Sequence, residues 1–296
     1  MVSLTMPWFS YHGGHSGEFC RHAKDDLAAV VARAIDAGFT HYGLSEHCPR
    51  YRSEDLYAEE ADLGPSGLLE AFERYARRAR ELRAEHADRI QLLVGFETER
   101  LPPDGWADRM RAIRASGFEY IVGSVHDIDG RWIDYKPEVT AAIASDLGGP
   151  EALHLRYFDA VVEVVETLRP EVVGHIDLVR KFDGEDAGFT TRVFAGIERA
   201  LEAVRAAGSA LDVNCGAYRR GLSPVYPLPD ILERAREMEI PVTLGDDSHG
   251  VGTVGVGLDA CMRAIHSAGY REVHYLARID GAVQWQKAKL EDVRPR

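Results

Sequence analysis

Residues 22–47 read HAKDDLAAVVARAIDAGFTHYGLSEH, and this stretch contains the structural unit from which the fold can be predicted. Apolar residues recur at helical spacing on one face of its first half: Leu27, Val30, Val31, Ala34 and Ile35. Gly38 stands where helices commonly end, and the short apolar run 42–44 then has the length of a buried strand. His47 lies just beyond that run. The stretch therefore predicts a helix, a buried strand and a histidine at the strand's carboxyl end.

The same alternation of short apolar runs and longer amphipathic segments extends along the whole chain. The candidate strands are residues 8–11, 42–44, 90–96, 120–123, 172–174, 210–213, 241–244 and 273–276. Further helical patterns lie between them, at about 66–86, 151–168, 190–207 and 229–237. The pattern predicts an α/β fold, a distorted TIM-like barrel of seven or eight units with its site at the carboxyl ends of the strands. An open doubly wound sheet stays an alternative, although no glycine-rich phosphate-binding motif follows any candidate strand.

The bulk composition limits the class of protein. A chain of 296 residues with 45% hydrophobic residues can form one large core, so a single domain over residues 1–296 is expected. The net charge is −13 and basic residues are scattered among acidic ones, which argues against nucleic acid as a partner. No apolar run reaches membrane-spanning length and the first residues lack the pattern of a secretory signal. We therefore expect a cytoplasmic protein with no membrane partner and reduced cysteines, and a homo-oligomer stays open.

The positions of the histidines predict where the chemistry takes place. Seven of the twelve lie at or just beyond the carboxyl end of a predicted strand: His12, His15, His22, His47, His126, His175 and His249. Glu97 and Asp247 occupy equivalent positions, and in a barrel all these ends meet at one mouth. Mixtures of imidazole and carboxylate groups bind zinc, iron or manganese, and a carboxylate can bridge two ions. The nine residues are therefore candidate ligands of a multi-metal site.

Seven motifs occur along the chain in a particular order: SYHGGHSGEFCRHA, GLSEHCP, VGFETE, YIVGSVHDI, VVGHIDLVRKF, LDVNCGAYRRGLSPVYP and LGDDSHGVGTVG. In this set the chain resembles the PHP (polymerase and histidinol phosphatase) superfamily and, within it, the monofunctional histidinol phosphatases, nearly from end to end. The resemblance implies a PHP-type barrel that holds two or three divalent ions (Mn, Zn or Fe), with the same nine residues as ligands. It also implies hydrolysis of L-histidinol phosphate to L-histidinol and phosphate, in histidine biosynthesis.

The first motif departs from the pattern of the family. The family usually has His-x-His there, whereas this chain has His12-Gly13-Gly14-His15. Side chains alternate along a strand with a period of two, so a second intervening residue would turn the next imidazole to the opposite face. Two glycines can form a bulge that restores its direction. We therefore expect both histidines to be ligands, and loss of one would leave a two-metal site.

Phosphomonoester hydrolysis is a reaction that such a metal cluster supports. Divalent ions lower the pKa of a bound water to generate a hydroxide, and they neutralise charge on the phosphate and the leaving alkoxide. No covalent enzyme intermediate is then required. We expect a hydroxide that bridges two ions to attack the phosphate, and His126, Asp247 and His249 to be catalytic. A third ion or a histidine of the site would assist the leaving oxygen.

Phosphate binding also requires cationic side chains, and the planar guanidinium of Arg matches phosphate best. Arg219 and Arg220 follow the sixth candidate strand, in a loop that resembles histidinol phosphatases rather than PHP proteins in general. Arg180 and Lys181, a few residues after His175, are second candidates for substrate binding. The alternative interpretation of all four is ordinary surface charge.

Two irregular stretches complete the prediction. Residues 49–67 form a long loop after the second strand, a position typical of lids and specificity elements. Its aromatic and acidic side chains can cover an imidazole and contact an ammonium group. The stretch HDIDGRWIDY resembles part of a calcium loop but lacks the EF-hand spacing, so Asp127, Asp129 and Asp134 are interpreted as solvated turn acids.

Three other functions stay open on the sequence alone. A PHP phosphoesterase acting on a nucleotide or another small phosphomonoester is disfavoured only by the resemblance of the loop RRGLSPVYP. A structural or regulatory metal-binding module is disfavoured by the complete set of candidate ligands. A metal-dependent deacetylase or amidohydrolase on a similar barrel usually has another ligand order. A small phosphorylated substrate is therefore the expected partner.

Overall fold

The computed structural model describes residues 6–101, 103–183, 188–219 and 225–295. Its strands are β1 Phe9–Ser10, β2 His41–His47, β3 Gln91–Glu97, β4 Ile121–Gly123, β5 Asp127–Ile128, β6 Arg131–Trp132, β7 Val172–Val173, β8 Ala210–Asn214, β9 Val242–Gly245, β10 Glu272–Ile279 and β11 Ala282–Lys289. Its α-helices are α1 Leu27–Asp36, α2 Gly64–Glu85, α3 Trp106–Ala115, α4 Pro137–Leu147, α5 Pro150–Leu168, α6 Thr191–Ala207, α7 Gly216–Arg219, α8 Pro229–Glu237 and α9 Leu258–Ser267. Among the residues described, no helix combines the length and the apolar character needed to cross a bilayer.

Seven strands form one parallel sheet in the order β1, β2, β3, β4, β7, β8 and β9. In this sheet His47, the last residue of β2, stands beside Glu97, the last residue of β3. The two outer strands, β1 and β9, lie close together at the open edge of the sheet. There the Tyr11 amide, next to β1, donates a hydrogen bond of 2.9 Å to the Leu244 carbonyl of β9. The sheet is therefore a nearly closed barrel, and the predicted TIM-like fold is confirmed.

The helix predicted from residues 22–47 is α1. The Asp26 carboxylate caps it by accepting a hydrogen bond of 2.7 Å from the Ala29 amide, which satisfies one of the unpaired donors of the first turn. The predicted apolar face is largely buried: Leu27, Val30, Val31 and Ala34. The helical patterns at 66–86, 151–168, 190–207 and 229–237 correspond to α2, α5, α6 and α8, so these predictions are confirmed.

The prediction of an eighth barrel strand at residues 273–276 is wrong. These residues belong to β10, which pairs antiparallel with β11 in a separate two-stranded sheet. Asp280 and Gly281 join the two strands, and both have positive φ angles, of 51° and 84°. An Asp-Gly pair is a strong signal for a tight hairpin turn, and a search for apolar runs does not register it.

The stretch 49–67 is ordered into short helical turns rather than a lid of irregular structure. Two 3-10 helices lie in it, Ser53–Asp55 and Ala58–Glu60, and α2 begins at Gly64. Tyr57 packs with Leu101 and Trp132 in a small buried cluster apart from the main core. This packing places the stretch beside the β5–β6 hairpin, at the end of the barrel where the predicted site lies.

Candidate metal centre

A cavity of about 390 Å³ opens at the carboxyl ends of the barrel strands. Seven of the nine predicted ligands line it: His22, His47, Glu97, His126, His175, Asp247 and His249. The other two, His12 and His15, are fully buried behind it, at 0% exposure. The structure therefore brings all nine residues to one place, as the strand-end positions predict. Whether they bind metal stays a prediction.

The carboxylate of Glu97 lies at the centre of this group and is 1% exposed. Five histidines have a ring nitrogen 3.0 to 3.7 Å from it: His12, His15, His47, His126 and His175. One carboxylate oxygen, Oε1, faces the rings of three of them, and the other, Oε2, faces His15 and His47. Glu97 thus offers one oxygen to each of two groups of imidazoles, the arrangement expected of a carboxylate that bridges two ions.

The glycines of the first motif allow both of its histidines to face Glu97. Gly13 and Gly14 have φ angles of 145° and 74°, which side chains of L residues rarely adopt. The chain therefore bends between His12 and His15, and the two ring centroids lie 6.3 Å apart. A Cβ atom at Gly13 would lie 2.2 Å from an oxygen of Asp246, so this conformation requires glycine.

We call His12, Glu97, His126 and His175, which are between 0% and 6% exposed, the floor of the site. We call three histidines nearer the opening the rim: His22, His47 and His249. The His22 and His47 Nε2 atoms lie 3.3 Å apart, and the His249 ring centroid is 5.1 Å from that of His22. His15 lies between the two groups, with its ring stacked on those of His47 and His249 at 4.4 and 4.3 Å.

Three buried carboxylates contact the Nδ1 atoms of predicted ligands from outside the cavity. Asp212 lies 2.6 Å from His12 Nδ1, Glu46 lies 3.2 Å from His15 Nδ1, and Glu99 lies 3.3 Å from His126 Nδ1. A carboxylate on one ring nitrogen fixes the tautomer and leaves the other nitrogen, Nε2, as an electron-pair donor. In each case that donor is the atom turned towards Glu97.

Several buried nitrogen and oxygen atoms of the site have no hydrogen-bond partner: Nε2 of His12 and His15, Nδ1 of His47 and both carboxylate oxygens of Glu97. They approach one another at 3.0 to 3.7 Å without hydrogen-bond geometry. Buried polar atoms are nearly always paired, so a cluster of unpaired ones requires an explanation. Imidazole and carboxylate donors that converge in this way have the composition of a site for divalent metal ions.

In the floor, the pKa values reflect strong pairing between imidazoles and carboxylates. Burial opposes the protonated form of His12, but the charges of Glu97 and Asp212 outweigh it and raise the pKa of His12 well above its ordinary value. Burial likewise opposes protonation of His126, and Glu99 together with Glu97 raises its pKa. The doubly protonated form of these two rings is therefore favoured when metal is absent, and a metal ion has to displace a proton in order to bind.

In the rim, the pKa values shift in the opposite direction. Burial lowers the pKa of His47 and of His249 well below the ordinary value, and neighbouring histidines add to the effect. Desolvation of the His22 ring nitrogens and the nearby charge of Arg50 lower the pKa of His22 to about 4. These rings are neutral at pH 7, and the neutral ring is the form that binds metal.

The predicted substrate-binding residues have different positions. Lys181 lines the cavity and donates to the backbone and the carboxylate of Asp134. Arg180 is 6% exposed, and its guanidinium donates to Asp177 at 2.8 Å and to the Val225 carbonyl at 2.6 Å rather than lining the cavity. The Arg219 side chain and the whole of Arg220 lie outside the residues described.

The cavity is also lined by four residues that we call the wall: Tyr57, Glu59, Asp134 and Tyr135. The rings of Tyr57 and Tyr135 lie 5.3 Å apart, and the Tyr135 hydroxyl donates to Glu59 at 3.4 Å.

The prediction that Asp127, Asp129 and Asp134 are solvated turn acids is partly wrong. Asp134 faces the cavity and Asp127 is 2% exposed, because the β5–β6 hairpin turns this stretch inwards. Asp129 is exposed, as predicted.

Sequence reasoning missed the carboxylates behind the ring nitrogens. Two of them have a signal in the sequence, because Glu46 directly precedes His47 and Glu99 lies two residues after Glu97, whereas Asp212 has none. Acids spaced by two point in similar directions on an extended chain. An acid beside a strand-end histidine therefore indicates an orienting carboxylate.

Comparisons with known proteins found similar sequences. Residues 12–216 match the family model described as PHP domain. A Schizosaccharomyces pombe protein named "Probable histidinol-phosphatase" is 36% identical over 248 residues, which cover 82% of this chain and 81% of that protein. The Saccharomyces cerevisiae histidinol-phosphatase is 26% identical over 291 residues, covering 86% of this chain and 87% of that protein.

Solved structures have the same architecture. A Listeria monocytogenes protein described as a candidate histidinol phosphatase has a TM-score of 0.75 at 26% identity, covering 85% of this chain and 98% of that one. A histidinol phosphate phosphatase from Lactococcus lactis, in complex with zinc, L-histidinol and phosphate, has a TM-score of 0.72 at 20% identity. It covers 94% of this chain and 98% of that one, and at this identity the likeness shows the fold alone.

Proposed function

The chain belongs to the PHP domain family, in the group that contains the histidinol-phosphatases, and from this premise we propose that it hydrolyses L-histidinol phosphate to L-histidinol and phosphate. The observation that carries the proposal is the convergence of five imidazoles on the buried Glu97 carboxylate. The names of the relatives supply the substrate, and the chemistry of the donor atoms supplies the reaction class.

The proposal includes two or three divalent ions, of manganese, zinc or iron. The residues that would hold them are His12, His15, His22, His47, Glu97, His126, His175, Asp247 and His249. Such ions lower the pKa of a bound water and neutralise the charge of the phosphate during hydrolysis. The protein's own contribution begins behind the ligands, where Asp212, Glu46 and Glu99 orient three of the rings.

We further propose His126, Asp247 and His249 as catalytic residues. Asp247 Oδ1 lies 4.0 Å from His12 Nε2 and 3.6 Å from His249 Nδ1, so it connects the floor to the rim. The His249 side chain is 24% exposed and lies at the opening, where the alcohol product must leave. His249 is neutral at pH 7, so its role there would be to hold an ion that neutralises charge on the leaving oxygen.

For the phosphate, Lys181 is the proposed cationic contact among the described side chains, because its ammonium group lines the cavity. Arg180 supports it indirectly: its bonds to Asp177 and the Val225 carbonyl hold the chain next to Lys181. The proposal also keeps Arg219 and Arg220 as phosphate ligands, on the sequence argument alone.

The wall is proposed to bind the imidazole end of the substrate. Tyr57 is 8% exposed, and the part of its ring that lines the cavity can contact an imidazole. The carboxylate of Glu59 beside it can accept a hydrogen bond from an imidazole N–H group. The wall therefore provides a reason for the enzyme to prefer histidinol phosphate over esters without a ring.

Phosphate release tests the proposal directly. The protein is stripped of metal, supplied with Mn²⁺, Zn²⁺ or Fe²⁺, and assayed on L-histidinol phosphate, nucleotides and glycerol phosphate. We expect activity that requires metal and strongly prefers histidinol phosphate. Preference for another ester would disprove the substrate while keeping the metal site, and no hydrolysis with metal bound would indicate a non-catalytic module.

A further inference from the structure

Arg50 lies at the start of the stretch 49–67 and is 3% exposed. Its guanidinium donates to two buried carboxylates, from Nη1 to Glu60 at 2.9 Å and from Nη2 to Glu99 at 3.1 Å. Its Cζ atom also lies 4.4 Å from the ring centroid of Tyr57 and 4.9 Å from that of Trp132. The planar fork of a guanidinium can hold two carboxylates at fixed positions, which a single ammonium group cannot do.

The Glu60 arm of this network leads to the wall. Glu60 is 2% exposed, and its second carboxylate oxygen accepts a hydrogen bond of 2.9 Å from the Tyr57 amide. Glu60 therefore fixes the backbone at the residue whose ring lines the cavity. Tyr57 in turn packs against Trp132, with ring centroids 4.4 Å apart.

The Glu99 arm leads to the candidate metal ligands. Glu99 is 1% exposed, and one of its oxygens lies 3.3 Å from His126 Nδ1 while the other lies 3.6 Å from His47 Nδ1. These two histidines both contact Glu97. The position of Glu99 therefore sets the orientation of one ring in the floor and of one in the rim.

We infer that Arg50 is a positioning residue that couples the wall to the candidate metal ligands. A displacement of the wall then shifts the ligands, and a displacement of the ligands shifts the wall. The physical basis is that both carboxylates are buried and depend on the same cation for compensation. A carboxylate that moves either loses its own bond to Arg50 or draws the guanidinium away from the other carboxylate. The inference rests on the proposed function for the bound metal and for the identity of the substrate.

The test compares Arg50→Lys with Arg52→Lys. Lysine keeps the positive charge but cannot span both carboxylates, whereas Arg52 is 41% exposed in the same stretch and pairs with Asp55. Two quantities are measured: retention of Mn²⁺ or Zn²⁺ against a chelator, and the ratio of kcat/KM for L-histidinol phosphate to that for glycerol phosphate. For Arg50→Lys we expect metal affinity to fall about 10- to 100-fold, the effect typical of groups that orient ligands. The ratio should fall as well, measured with metal in excess, while Arg52→Lys should leave both unchanged.

A change in only one of the two quantities would overturn the coupling, and so would a lower melting temperature with both quantities unchanged. If Arg50→Lys does not accumulate as folded protein, Glu60→Gln replaces it. Among the contacts described, Glu60 touches no candidate ligand, yet coupling predicts weaker metal retention in this variant, and normal retention would disprove it. A wild-type enzyme without preference for histidinol phosphate would disprove the proposed function instead, while the metal measurements would still test the inference.

Discussion

The floor and the rim of the candidate metal centre use the same side chain in different surroundings. In the floor, His12 and His126 have a carboxylate on Nδ1, and their pKa values are raised against the effect of burial. In the rim, His249 Nδ1 is 2.9 Å from the backbone oxygen of Asp247, and burial lowers its pKa. A carboxylate behind a ring makes it a stronger ligand than a carbonyl does. Two rings of the floor are thus oriented by a close carboxylate and His249 is not, so we expect the floor to hold its ion more tightly than the rim.

Glu97→Gln should give the largest effect, because it removes the group that both parts share. The amide has one acceptor oxygen instead of two, and its NH₂ group would face imidazole nitrogens. We expect metal content and phosphate release both to fall by more than about 100-fold. Elemental analysis after dialysis and a phosphate assay check this, with the exposed Glu166→Gln as the control. Normal metal content in Glu97→Gln would contradict the central position of this carboxylate.

Asp212→Asn tests the floor alone. Asp212 is fully buried, at 0% exposure, and its carboxylate lies 2.6 Å from His12 Nδ1. An amide cannot supply the negative charge that strengthens His12 as a ligand, so metal affinity should fall about 10- to 100-fold. Titration against a competing chelator measures this, and Asp159→Asn, in an exposed ion pair with Arg199, is the control. An unchanged affinity would remove the distinction between floor and rim.

His22→Asn tests the rim alone. His22 contacts His47 and His249 but has no contact with Glu97 among those described. The variant should lose one ion per chain and about tenfold in rate, while the floor keeps its metal. The number of ions per chain, measured by elemental analysis, decides the matter. Loss of all metal would show that the two parts bind cooperatively rather than as a graded pair.

Glu59→Gln should give the smallest effect, because it lies outside both parts. Its carboxylate is exposed, and exposed charged contacts contribute about 1 kcal/mol or less, which corresponds to roughly a fivefold change. We expect a rise in KM for histidinol phosphate of that size, with no change for glycerol phosphate or in metal content. Steady-state kinetics with Glu54→Gln as the matched control would reveal it. An equal change for both esters would remove Glu59 from substrate recognition.

Sequence reasoning reached the barrel and the nine clustered residues because strand ends are readable from apolar periodicity. It did not reach the orienting carboxylates, since nothing in a single sequence says that Asp212 and His12, 200 residues apart, have their side chains in contact. It also placed Arg180 in the substrate site, whereas that guanidinium is held by Asp177 and Val225. Cations are easy to find in a sequence, but their partners are decided by the packing.

The two glycines of the first motif have a consequence for how this chain can diverge. A Cβ atom at Gly14 would lie 2.8 Å from the Leu44 side chain, and one at Gly13 would overlap Asp246. Any single substitution at either position therefore collides with neighbouring groups and forces a disfavoured backbone angle as well. A change to His-x-His would require deletion of a codon rather than replacement of one. The His-Gly-Gly-His motif is thus expected to persist in descendants of this gene and to serve as a marker of common ancestry.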